Sequence, residues 1–123
     1  MSNYYTTVTL LPTAVYGTAS GNYDGSSQDF FGNAVPAANY YGGQGAVQTI
    51  TYSVSNFVGR IVTKATLSDA PEQAAWFDID EYGDGSTLVP NDYHPVSVIG
   101  NFAWLRVEVT HFDSGNVTVT ASY

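Results

Sequence analysis

Four acids crowd one short stretch of this chain: Asp78, Asp80, Glu81 and Asp84, with Gly83 and Gly85 beside the last of them. Clustered carboxylate oxygens are what a calcium ion takes, but a calcium loop also needs a set order of ligands, glycine and apolar residue. Ile79 separates the first two acids in strand alternation and that order is missing, so the cluster reads as a solvated strand end and turn. The two imidazoles, His94 and His111, each have an aspartate two positions away, Asp92 and Asp113. Catalysis by such pairs requires a nucleophile, a base and an orienting acid converging in one cleft. No G-x-S-x-G elbow, cysteine or glycine-rich phosphate loop is present to complete it. The chain therefore reads as a protein that is not an enzyme, and no cofactor is implied. Trp76 and Trp104 offer flat apolar faces of the kind that stack on a pyranose ring, although the size of Trp favours partial burial in the fold. Arg60, Lys64 and Arg106 read as partners for acids such as Glu108 across strands, given eleven acids against three cations.

Composition narrows the partners. The net charge of −8 repels phosphate backbones and anionic lipid, so neither nucleic acid nor a membrane is expected as a partner. Charged residues are only 11% of the chain; tyrosine, glycine, threonine, serine and asparagine take their place. With no cysteine, packing alone must stabilise the fold. The opening M-S-N-Y lacks the basic and apolar regions of a signal peptide, and no apolar run reaches the length of a membrane span. The expectation is an unprocessed chain. At 123 residues, 1–123 is expected to be a single domain.

Strands must position these residues. Leu105, Val107 and Val109 alternate with Arg106, Glu108 and Thr110, the period of a half-buried strand. Asp113, Ser114, Gly115 and Asn116 then carry turn chemistry, and Val117, Val119 and Ala121 resume the alternation, which predicts a terminal hairpin. Upstream, residues 4–11 read as a first strand that Pro12 ends. Residues 46–54 form a second, with Ile50, Tyr52 and Val54 inward, closed by Ser55-Asn56. Residues 57–67 form a third, with Ile61, Ala65 and Leu67 inward. Residues 68–72 suit one helical turn. Residues 76–82 form a strand with Phe77 and Ile79 inward, and 96–99 another after a loop over 88–95. No internal repeat is visible. Six to eight strands parted by turn signals predict an all-β, antiparallel β-sandwich of jelly-roll type.

Residues 17–45 differ from the rest. This Gly/Tyr/Asn-rich loop is long for a compact domain, and its aromatics argue against plain disorder. It reads as an extended arm ordered on another surface, with Tyr23, Phe30, Phe31, Tyr40 and Tyr41 anchoring it in a neighbouring subunit.

The phrases T-I-T-Y-S-V-S-N-F-V-G-R-I (49–61), A-T-L-S-D-A-P (65–71), W-F-D-I (76–79) and G-N-F-A-W-L-R-V (100–107), in this order and spacing, resemble structural proteins of tailed bacteriophages, especially those of cyanobacteria. The resemblance covers residues 40–123. It implies a β-sandwich virion component assembled in many copies in the host cytoplasm, a homo-oligomer touching the major capsid, neck or tail protein, with capsid decoration favoured. The rival expectation is a carbohydrate-binding β-sandwich that uses Trp76 and Trp104.

Overall fold

The computed structural model describes residues 7–37, 47–68 and 75–123. Tyr40, Tyr41 and most of the helical turn expected at 68–72 lie outside them. Two long strands set the architecture. β4 (Val47–Thr66) and β7 (Trp104–Ser122) run antiparallel from the Thr49–Ser122 rung to the Thr66–Trp104 rung. β1 (Thr7–Val15) and the short β2 (Phe30–Phe31) and β3 (Val35–Pro36) flank β7, while β5 (Phe77–Tyr82) and β6 (Asp92–Ile99) flank β4. The described residues are all-β and antiparallel, with no helix, as the alternation of apolar residues predicts.

Both long strands break their alternation halfway. β4 buries Ile50, Tyr52 and Val54 on even positions, then Phe57, Ile61 and Ala65 on odd ones. Side chains alternate strictly along a strand, so a change of parity needs an extra residue, which is a bulge. Its register shifts fall between Ser55 and Arg60, where Asn56 adopts a φ of 50°. β7 is irregular at the same level, twice: buried Val109 gives way to Phe112 and then to Val117, which regains the parity of Val109, with φ of 56° at His111 and 85° at Gly115.

These bulges fold the sheet over. Tyr52 and Thr63 are 11 residues apart on β4, and a straight strand would separate them by about 36 Å. Their side-chain oxygens instead lie 2.5 Å apart. The Tyr52 ring also stacks on that of Tyr82, on the strand beside the far half of β4, at 5.1 Å between centroids. Side chains of the first half of the sheet thus meet those of the second, and one core cluster draws on both halves. On one edge the halves meet directly: the Asn33 N–H donates to the Leu10 carbonyl at 2.7 Å. Gly32 sits so close to that carbonyl that a side chain there would collide with it.

The terminal hairpin is thus corrected to one bent strand. Asp113 to Asn116 do supply positive φ, but β7 stays paired with β4 on both sides of them, so the conformation bends the chain without reversing it. Ser55-Asn56 likewise joins two predicted strands into one. β1 continues through Pro12 by a register shift, and β6 begins at Asp92 and carries Pro95 inside it. Leu67 and Phe77, expected inward, are exposed: Leu67 lies just beyond the end of β4 and Phe77 at the start of β5.

The pairing also contains a two-fold pattern that the sequence conceals. The Val54–Val117 rung has its counterpart in Ile61–Val109, Ile50–Ala121 in Ala65–Leu105, and Thr49–Ser122 in Thr66–Trp104. β1 pairs with the second half of β7 as β5 does with the second half of β4. Phe57 and Phe112 face each other near the axis, at 5.9 Å. Even the turns correspond, Asp24-Gly25-Ser26-Ser27 and Asp84-Gly85-Ser86-Thr87. Identity along the rungs is low, because hydrophobicity is what the rungs require.

Candidate functional site

The arm expectation is corrected for residues 17–37, which pack on this domain's own sheet. Tyr23 and Phe30 are buried: their rings lie 5.0 Å apart and both contact Phe112. The Tyr23 hydroxyl accepts from the Gly17 N–H, and the Phe112 N–H donates to the Gln28 carbonyl. A sheet bent at Phe112 leaves a hollow that these aromatics fill, so they are unavailable to a neighbour. Of the five expected anchors Phe31 alone is described as exposed; Tyr40 and Tyr41 lie outside the described residues.

The acid cluster is dispersed over separate tasks. Asp78 accepts from Lys64 at 2.8 Å, Glu81 pairs with Arg60, and Asp80 accepts from the Tyr52 hydroxyl at 2.8 Å. Asp84 caps its own turn through the Ser86 and Thr87 N–H groups and the Thr87 hydroxyl. These bonds, led by the Thr87 hydroxyl, hold its carboxyl well below the usual range. Asp24 does the same in the matching turn, held down at about 2 by the Ser27 hydroxyl first and then the Ser27 and Ser26 N–H groups. Among the described residues no group of three or more acids, histidines or cysteines is arranged around a metal position.

The two histidines serve different places. His94 stacks on Tyr52 and lies tilted against Tyr82, whereas the His111 backbone N–H donates to Asp29 within the bend of β7. Tyr52 donates its one hydroxyl proton to Asp80, so the Thr63 hydroxyl must donate to Tyr52. Burial pushes Tyr52 above the usual tyrosine range, and the Asp80 carboxylate adds to this against the opposing Thr63 bond. Tyr82, which donates to Asp92 at 2.5 Å, is raised by the same two causes, burial first. Sequence reasoning missed this network, although an inward tyrosine between Ile50 and Val54 signals a hydroxyl that must find a partner.

The outer face of the other half carries the cations. Lys64 reaches Asp78 and, at 3.7 Å, Glu108. Arg106 lies between two aromatic plates, its guanidinium 4.4 Å from the Phe31 ring and 4.4 Å from the Trp76 ring. One face of Trp76 is thereby occupied by a cation. Trp104 is half-buried on the rungs with Pro36 and Thr66.

At the ends of the strands lies an apolar surface. Val47 and Ile99 form the last rung of β4 with β6; Ile99 is 77% exposed and Leu67, just beyond β4, is 68% exposed. The Phe102 ring lies beside Gly100 and 5.9 Å from that of Phe77. No family model and no curated protein matches the chain.

Proposed function

We propose that this chain is a structural protein of a tailed-phage virion, a homo-oligomeric β-sandwich subunit that works by contact with other virion proteins and runs no reaction. Capsid decoration is the favoured place, with neck and tail as the other positions in the particle. One observation carries the reading: Val47, Leu67, Phe77 and Ile99 are all exposed at strand ends, Val47 paired with Ile99 and the Phe77 ring 5.9 Å from that of Phe102. Exposed large apolar side chains of this kind favour protein contacts, and the Phe31–Arg106–Trp76 stack adds the residue types enriched at interfaces. The resemblance of residues 40–123 to phage structural proteins supplies the biological setting. With Tyr23 and Phe30 buried, the contact surface moves from an arm to the end of the sheet.

Size-exclusion chromatography with light scattering tests this on wild type and on a Leu67→Asp/Ile99→Asp double variant. Wild type is expected as a discrete oligomer, or to bind undecorated particles, and the variant to be a folded monomer that binds neither. A wild-type monomer that ignores particles would overturn the reading.

A further inference from the structure

We propose that Arg106 is the seat of an anion site that takes a single carboxylate, a feature separate from the exposed strand ends. Arg106 alternates with buried Leu105 and Val107, so it stands on the outer face of β7. The Phe31 and Trp76 rings cover its guanidinium, each with its centroid 4.4 Å from the central carbon. Aromatic plates against a planar cation leave its edge, where all the N–H donors point. Among the described residues no acceptor meets that edge: Arg106 makes no ion pair, and its Nε is buried without a hydrogen-bond partner. The chain carries eleven acids against three cations, and the other two cations are both paired, Arg60 with Glu81 and Lys64 with Asp78. An arginine held in place yet unbonded, in a chain this rich in carboxylates, is a donor fork fixed for a group from outside the chain.

The surroundings choose the anion. Lys64 lies directly across from Arg106 on a β4–β7 rung, so two positive charges share one place on the sheet, an arrangement that is unfavourable alone and that a bound anion relieves. Glu108, two positions along the same face, reaches Lys64 at 3.7 Å and forms no pair with Arg106. Asp78 holds the Lys64 ammonium from the β5 side at 2.8 Å. With Asp78, Glu81 and Glu108 already balancing the three cations and a net charge of −8 on the chain, a doubly charged phosphate or a polyanion is repelled where a singly charged group is tolerated. A carboxylate also matches the planar fork, two N–H groups to two oxygens. An acidic side chain of a partner protein and a free organic acid would both present it, through the same bonds.

Arg60 and Arg106 are the only arginines, so nitrogen-15 NMR of the whole chain shows two Nε–H signals, and Arg60→Lys leaves that of Arg106 alone. Sodium acetate, the peptide acetyl-Gly-Gly-Glu-Gly-Gly-amide and inorganic phosphate are titrated in turn, against sodium chloride at equal ionic strength. Acetate and the peptide are both expected to move the Arg106 signal saturably, in the millimolar range, beyond any shift that chloride causes. Tighter binding of the peptide identifies a protein side chain as the source; equal affinity identifies a free acid. In Arg106→Lys the affinity, read from the Trp76 indole N–H signal, should fall about tenfold or more, because an ammonium presents no planar fork. Phe31→Leu, which removes one plate and keeps an apolar side chain, should lower it severalfold. An Arg106 signal that acetate and the peptide move no further than chloride does, undiminished binding by Arg106→Lys, or a preference for phosphate would overturn the proposal. Oligomer formation is read separately, so failure here leaves the contact role standing.

Discussion

Replacing Tyr52 by phenylalanine removes one oxygen from the place where the folded sheet closes on itself. The ring stays, so the stack on Tyr82 is kept. Lost are a hydrogen bond to the Asp80 carboxylate, about 1.5–3 kcal/mol, and the acceptor for a fully buried Thr63 hydroxyl, which partly recovers by rotating toward another partner. The sum is about 2–4 kcal/mol, and at about 3–4 °C per kcal/mol for a domain of this size the melting temperature should fall by roughly 6–16 °C. The effect must also depend on pH. Tyr52 ionises above its ordinary value when folded, so its stabilisation is full below about pH 10 and is lost above it, where the unfolded chain releases the proton and the folded chain does not. The gap between wild type and Tyr52→Phe should therefore narrow as the pH rises past about 10. Calorimetric melts across the alkaline range measure both quantities. An unchanged melting temperature, or a gap constant with pH, would show that Tyr52 does not hold the two halves together as described.

Other consequences are independent of this one. Gly115→Ala places a side chain at a φ of 85° against the carbonyls of Ser55 and Asn56, so chemical denaturation should show a loss of about 3 kcal/mol or more. Arg106→Lys keeps the charge but loses the planar stack between Phe31 and Trp76; a loss of about 0.5–2 kcal/mol is expected, and equal stability would mean that the stack contributes nothing. Asp24 is depressed to about 2 in the folded protein, so its contribution is present above its unfolded value near 3.8 and disappears as the pH falls toward 2. Acid melts of Asp24→Asn should accordingly converge with wild type below that range.

Much of the core was legible. The alternation of Ile50, Tyr52 and Val54, and of Leu105, Val107 and Val109, put the right side chains inward because one buried face imposes a period of two. The two long strands were not legible as single elements. Asn56 and Gly115 have the same local chemistry in a turn as in a bulge, and only a partner strand continuing past them decides between the two. The aromatics of residues 17–37 posed a similar ambiguity, since a tyrosine that fills its own domain's hollow reads like one that anchors in a neighbour. The Arg106 stack brings together residues from distant parts of the chain, and no spacing announces it.

The contact role is tested most directly by density for an intact particle, with mass spectrometry of gradient-purified particles to establish whether the chain is aboard. The account predicts the domain in many symmetric copies, with Leu67, Phe77 and Ile99 covered by a neighbouring protein. Its absence from purified particles, or a particle in which that end of the sheet faces solvent, would contradict it.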